Sequence, residues 1–147
     1  MMVDDESPAM REVEVERFIA ESPPTVGRQL SPTRIVEWEG SFEVAEVEEG
    51  ADDEVTIVTV TGPGVGFRLR FERRSDGYRY AVADDGPAGP FKHMETWLTV
   101  DPENEGSRVR LRSAVALNAP VPFADRIAAW KRRGELKRAL DGIAEAV

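Results

Sequence analysis

The residues able to do chemistry in this chain are few and scattered. The sequence holds no cysteine, which removes disulfides, thiolate catalysis and zinc–sulfur sites. Its one histidine, His93, cannot build a histidine metal site alone. His93 and Glu95 stand two apart and share a strand face, the spacing of an acid–base pair. The strand register argued below turns that face to solvent, so the pair reads as a surface histidine beside an ion pair. Gly62-Pro63-Gly64-Val65-Gly66 has the glycine content of a phosphate-cradling loop, but lacks the Lys-Ser/Thr ending and a following helix. It reads as a hairpin turn. Asp52-Asp53-Glu54, Asp84-Asp85 and Glu103-Asn104-Glu105 lack the alternate spacing of a calcium loop and read as solvated turn acids. No Ser-His-Asp arrangement can be composed. The reading therefore assigns no catalytic residue, no metal ligand and no cofactor. What remains is a set of hydroxyls (Tyr78, Tyr80, Thr96, Ser113) able to orient a ligand.

The elements that would position those hydroxyls are legible. With 147 residues, one core is expected, burying ~68–70% of the unfolded chain's surface. Apolar residues make up 41% and charged residues 32%, a globular balance. No apolar run approaches the ~20 residues of a membrane span. Met1 to Pro8 is acidic and polar, unlike a secretory signal, and residues 1–10 read as a disordered acidic tail. Val13 and Val15 alternate with glutamates, so Arg11 to Ile19 is a strand. Ser22-Pro23-Pro24 and Ser31-Pro32 each pair an N-cap with proline in the first turn, predicting short helices to about Leu30 and Trp38. Strands follow near 41–49, 54–61, 65–74, 78–84, 91–101 and 106–117, separated by turn clusters. Pro122 to Val147 is helical. The expected fold is α+β: a curved antiparallel meander around one long C-terminal helix.

This arrangement resembles the helix-grip or START-like superfamily, in particular its polyketide cyclase/dehydrase-like and coenzyme Q-binding-like members. The markers are Ser22-Pro23-Pro24 to Trp38-Glu39-Gly40 after the first strand, and Gly106-Ser107-Arg108-Val109 opening the last. Ala119-Pro120-Val121-Pro122-Phe123, leading into the closing helix, is the third. Residues 11–147 would then form a single START-like domain. The resemblance implies a cavity between sheet and helix that takes a hydrophobic ligand, and it implies no particular reaction.

Face patterns propose the wall of that cavity. Pairing Phe71 with Tyr80 and Leu69 with Val82 puts Phe67, Leu69, Phe71, Tyr78 and Tyr80 on the inner face. Pairing Leu98 with Val109 and Thr96 with Leu111 adds Thr96, Leu98, Leu111 and Ser113. Outside, that register sets Glu95 across from Arg112 and Trp97 across from Arg110, giving Arg108, Arg110 and Arg112 local partners rather than a nucleic acid. In the last helix Phe123, Ile127 and Trp130 form one stripe and Leu136, Leu140, Ile143 and Val147 another, rotated by roughly 130°. Either the helix breaks near Gly134, or its halves meet different surroundings. The first stripe is expected to roof the cavity, since three large apolar side chains would otherwise stand in solvent together. The function expected is binding of a lipid, quinone or polyketide-like molecule, in a carrier or sensor role. A cyclase or dehydratase using Tyr78 or Tyr80 as general acid is the alternative. A protein-interaction domain of chaperone-activator type, with an apolar patch around Trp97, Val55 and Ile57, is the third. The oligomeric state stays open.

Charge adds a compartment. Asp plus Glu number 28 against 19 Lys plus Arg, a net charge of −9, and 16 of those cations are arginine. The balance disfavours nucleic acid and anionic surfaces generally. It fits a salt-rich cytoplasm, where the Debye length shrinks to ~3 Å at 1 M; the arginine bias alone would also follow from a GC-rich genome. If the acidity is adaptive, the melting temperature rises substantially from low salt to molar potassium chloride; a flat or falling trend removes the halophilic reading.

Overall fold

Glutamates alternating with Val13 and Val15 produce β1 (Arg11–Ile19). Ser22 caps α1 (Pro23–Gly27) and Ser31 caps α2 (Pro32–Glu39), each side chain accepting from a backbone N–H three residues on, at 3.4 and 3.2 Å. Gly40 ends α2 in the left-handed region, φ 81°, which glycine enters without a Cβ penalty. Six strands follow: β2 (Glu43–Glu49), β3 (Val55–Gly62), β4 (Val65–Arg74), β5 (Gly77–Val82), β6 (Phe91–Glu103) and β7 (Gly106–Leu117). Helix α3 (Ala124–Ala146) closes the chain. This computed structural model describes residues 10–50, 53–83, 86, 89–117 and 122–147. Apart from Met10, the expected acidic tail lies outside the described residues, as do Asp52, Asp84-Asp85 and Ala119 to Val121.

The strands form one antiparallel sheet in the order β1-β7-β6-β5-β4-β3-β2. Its concave face grips α3, which packs on β1, β7 and α2. This is the expected helix-grip architecture. The β4–β5 register is the expected one, with Phe71 opposite Tyr80 and Leu69 opposite Val82. The β6–β7 register differs by two residues: Leu98 faces Leu111 and Thr96 faces Ser113. The cause is the turn. Asn104 and Glu105 both adopt left-handed backbone, φ 48° and 65°, making a two-residue hairpin that carries pairing to Glu103 and Gly106. A shift of two preserves the faces but changes the partners. Arg112, not Arg110, stacks on Trp97, its Cζ 4.1 Å from the ring centre. Glu95 accepts from Arg79 at 2.6 Å rather than meeting Arg112. The outer arginines are matched by β1: Arg110 lies 2.9 Å from Glu14, and Arg112 3.7 Å from Glu12.

Helix α3 runs unbroken through Gly134. Its buried face is Ala124, Ala128, Arg132, Glu135, Leu136, Ala139, Leu140 and Ile143, a single line at helical spacing. The Phe123–Ile127–Trp130 stripe therefore points away from the sheet. Phe123 is 63%, Ile127 55% and Trp130 79% exposed, so the expectation that solvent is excluded there is wrong. The sequence pattern misled because the core-facing positions of the first half are small or charged. Small alanines and an arginine do not register as an apolar stripe.

Two glycines of α3 separate propensity from packing. A Cβ on Gly134 would meet nothing closer than the tip of Arg138 at 3.7 Å, whereas on Gly142 it would overlap the Trp38 indole. Gly134→Ala should stabilise the fold by about 0.5–1 kcal/mol through helix propensity. Gly142→Ala should lose more than that, about 1–3 kcal/mol of overpacking strain, in urea denaturation.

Candidate functional site

Arg132 carries a full charge into the middle of the grip. It is buried against three layers at once. From α2, Glu39 receives Nη1 at 2.7 Å and Nη2 at 3.2 Å, a two-point contact with one carboxylate. From the sheet, Tyr80 Oη, Thr96 Oγ1 and Ser113 Oγ accept from Nη2 and Nε at 3.3, 2.7 and 3.1 Å. From α3 itself, Glu135 Oε1 accepts from Nη1 at 2.8 Å. Every guanidinium N–H thus has an acceptor. The hydroxyls are also tied to one another: Thr96 and Ser113 lie 2.8 Å apart, and Ser113 donates to the Glu95 carbonyl at 3.2 Å. Tyr80 donates to Glu39 Oε2 and stacks on Phe71, centroids 4.4 Å apart.

The electrostatics of this cluster follow from burial. Removal from water and the neighbouring Glu39 charge push the Tyr80 phenol well above its ordinary value of 10.0. Arg132, despite its own desolvation, is held above its usual range by Glu39, Tyr80 and Glu135. The Tyr80 proton is engaged by Glu39 and is harder, not easier, to release than that of a free phenol.

Beside the cluster, at the β6–β7 end of the sheet, lies a pocket of about 240 Å³. Phe42, Pro90, Phe91, Leu117, Ile127 and Ala128 supply apolar wall, Arg132 and Glu135 supply charge, and Lys131 also lines it. Arg132 and Glu135 are buried while Lys131 is exposed, so the polar groups form the floor and the lysine the rim. Phe67 bridges the aromatic wall, edge-on to Phe42 at 5.0 Å and to Phe91 at 5.9 Å. Two hollows of about 430 and 540 Å³ flank Tyr78 near α1 and α2. The first is lined by Pro23, Pro24, Leu30 and Val100 together with the exposed Arg28, Arg73, Arg74 and Asp76, and the second by Glu49, Asp53, Glu54 and Arg73. Of these three, the smaller one alone sets an apolar wall against buried charged groups, and that is the form of a ligand site.

The expected site residues divide into five sets. Phe67, Leu69, Phe71, Tyr80, Leu98 and Leu111 line the inner face but pack into the closed core. Thr96 and Ser113 belong to the Arg132 cluster. Tyr78 borders the two larger hollows. Ile127 alone of the twelve lines the apolar pocket; Phe123 and Trp130 line none of the three hollows. Nor is Trp97 the centre of an open apolar patch with Val55 and Ile57, since all three are half-buried and Arg112 covers the indole. Glu39, Arg132 and Glu135 were not anticipated. Counting four residues at a time from Leu140 back through Leu136 reaches Arg132, a charge at a core position. That was the available signal.

The family profile described as "Polyketide cyclase / dehydrase and lipid transport" matches residues 10–147. No curated protein matches the chain. Among solved structures, a protein from Thermus thermophilus is similar at 23% identity, with a TM-score of 0.70 over 92% of this chain and 95% of that one. An aromatase/cyclase from Streptomyces sp. R1128 shares 15% identity with a TM-score of 0.65, covering 93% and 90% of the two chains. A START superfamily protein from Mycobacterium smegmatis shares 17% with a TM-score of 0.62, covering 93% and 97%. Identities this low establish a shared fold and nothing finer.

Removing Arg132 should expose what it holds. Arg132→Met is expected to cost about 3–5 kcal/mol in urea denaturation, because two carboxylates lose their buried partner. Adding Glu135→Leu should recover part of that loss, which simple loss of arginine packing would not. High pH offers a second check. The folded phenol of Tyr80 keeps its proton above the pH at which the unfolded one releases it. Its contribution is therefore complete below pH ~10 and is lost as pH climbs toward the folded value. In a Tyr78→Phe background, phenolate absorbance should appear only together with unfolding.

Proposed function

The chain belongs to the polyketide cyclase / dehydrase and lipid transport family, and on that premise we propose that it binds a compact amphipathic molecule between α3 and the β6–β7 end of the sheet. The role is that of a carrier or sensor. One observation carries the reading: the apolar pocket ends on the Arg132–Glu135 pair. Burial of the ligand's apolar body supplies the affinity, at ~25 cal/mol per Å². At about 240 Å³ the pocket is smaller than the ~300–1,000 Å³ usual for drug-sized ligands. It suits a fused-ring compound, or one end of a longer molecule.

The floor decides which polar group the ligand presents. Arg132 has no N–H left to offer, and with Glu39 and Glu135 around it the cluster carries an excess of one carboxylate. Glu135 uses Oε1 for Arg132, while its Oε2 has no hydrogen-bond partner among the described residues. A ligand hydroxyl or ammonium would complete that oxygen. A carboxylate would face it with no donor in return, a buried mismatch costing ~1–3 kcal/mol or more. The preferred ligand has a hydrogen-bond donor at its inner end.

Naphthol and naphthoate share a ring system and differ in that group. Calorimetric titration should find naphthol bound at least about tenfold more tightly, the equivalent of ~1.4 kcal/mol. Glu135→Gln, which adds a donor to the floor, should narrow the gap. Equal affinities for the two probes would sink the donor assignment. Absence of naphthol binding by the folded protein would sink the pocket.

A further inference from the structure

The outer face of α3 has a composition that the rest of the described surface lacks. Phe123, Ile127 and Trp130 stand exposed together, and at 100° per residue they fall within roughly 60° of one another on the helix circumference. Exposed cations flank them on both sides. Arg126, Arg133 and Lys137 lie along one edge, and Lys131 along the other. Two of the chain's three lysines are in this set. The acids nearby are already engaged. Asp125 holds Arg11 at 2.7 Å, and Glu14 and Glu16, across the groove from Arg133 and Lys137, lie 2.9 and 3.3 Å from Arg110.

Folding does not require this face. None of the three apolar side chains is buried. Phe123 is moreover held in left-handed backbone, φ 65°, without a capping hydrogen bond, a conformation unfavourable for a bulky side chain. Its ring instead sits under Arg126, whose Cζ is 5.3 Å from the centroid. Phenyl, indole and an aliphatic chain between a row of cations and Lys131 compose an interfacial helix, with the aromatic groups at headgroup depth and the cations on phosphates.

We propose that the Phe123–Ile127–Trp130 face of α3 docks on an anionic lipid surface, with Arg126, Lys131 and Arg133 meeting the headgroups. The net charge of −9 does not forbid it, because charges farther than a Debye length of ~8 Å are screened at physiological ionic strength. At the contact the potential is set by α3, while most of the paired acids sit across the sheet. A second copy of the chain is a poorer occupant, since a two-fold pairing of this face sets like cations against each other. Docking would also bring Ile127 and Lys131, which line the pocket, to the bilayer. A ligand could then pass between lipid and pocket without crossing water. The docking itself stands on the surface alone and does not depend on the ligand chosen above.

Flotation with vesicles of equimolar phosphatidylcholine and phosphatidylglycerol tests it, using the whole chain. The protein should float with these vesicles and not with pure phosphatidylcholine, and the bound fraction should fall as salt is raised. Trp130→Ser with Phe123→Ser should abolish flotation, and Arg126→Glu with Arg133→Glu should weaken it about tenfold or more. Neither pair lies in the pocket or the core, so unchanged melting temperatures will show that the variants are folded. Three results would overturn the proposal. These are no flotation on anionic vesicles, equal flotation on neutral ones, or a lipid-free dimer that the serine variant dissociates, which would assign the face to a second copy.

Discussion

Everything in this molecule is arranged around the burial of one guanidinium. Arg132 joins α2, the sheet and α3 through its hydrogen bonds: Glu39 from the first, Tyr80, Thr96 and Ser113 from the second, Glu135 from the third. Desolvating such a cluster costs several kcal/mol per ion, and its internal attraction does no more than offset that. Well-packed leucines would hold the helix as firmly. What leucines would not do is fix its rotation. Turning α3 by one residue would draw Arg132 out and leave Glu39 and Tyr80 facing nothing, whereas an apolar stripe tolerates small rotations. With the rotation fixed, Glu135 is brought to the pocket floor and Trp130 to the outside. Both proposed surfaces descend from the same constraint.

The sheet was largely legible in the sequence because its signals are local. Val13 and Val15 among glutamates, and the Ser-Pro starts of α1 and α2, are each sufficient to place an element. The inner residues Phe67, Leu69 and Phe71 were assigned correctly because one face of an antiparallel strand must alternate. The β6–β7 partners were missed for want of the Asn104-Glu105 geometry, which needs two non-glycine residues in left-handed backbone, a feature that composition only weakly signals. The candidate site was hardest to read. Its centre joins Glu39, Tyr80 and Arg132, residues far apart in the chain whose pairing exists only once α2 and α3 meet. A charged residue at a core position breaks the hydrophobic period there. The apolar period continues instead along the exposed Phe123–Ile127–Trp130 stripe.

Charge shows the same difference between a sum and an arrangement. Net −9 suggests a molecule repelled by any anion. In the structure the acids are concentrated where arginines answer them: Glu12, Glu14 and Glu16 of β1 against Arg112 and Arg110 of β7, and Glu95 against Arg79. Those exposed pairs add little stability individually. Their consequence is that the convex face is locally neutralised, while α3 gathers cations around its exposed aromatic groups.

The core also sets how large a ligand can be. In a grip whose concave face were merely apolar, the space between sheet and helix could open along its whole length. Here Tyr80 stacks on Phe71 beneath Arg132, and Leu98, Leu111 and Leu136 are fully buried around them. The polar cluster acts as a plug. Enlarging the cavity toward Tyr78 would require separating Arg132 from its carboxylates in a low-dielectric interior, far costlier than parting apolar side chains. Among the described residues, the space for a ligand widens toward the rim, past Phe91, Leu117 and Ile127. In the proposed binding mode, a long molecule places its inner end against Glu135 and lets the remainder emerge beside α3. That is the side on which the exposed aromatic and cationic groups lie, so the plug directs the ligand's outer portion toward the face proposed to meet lipid.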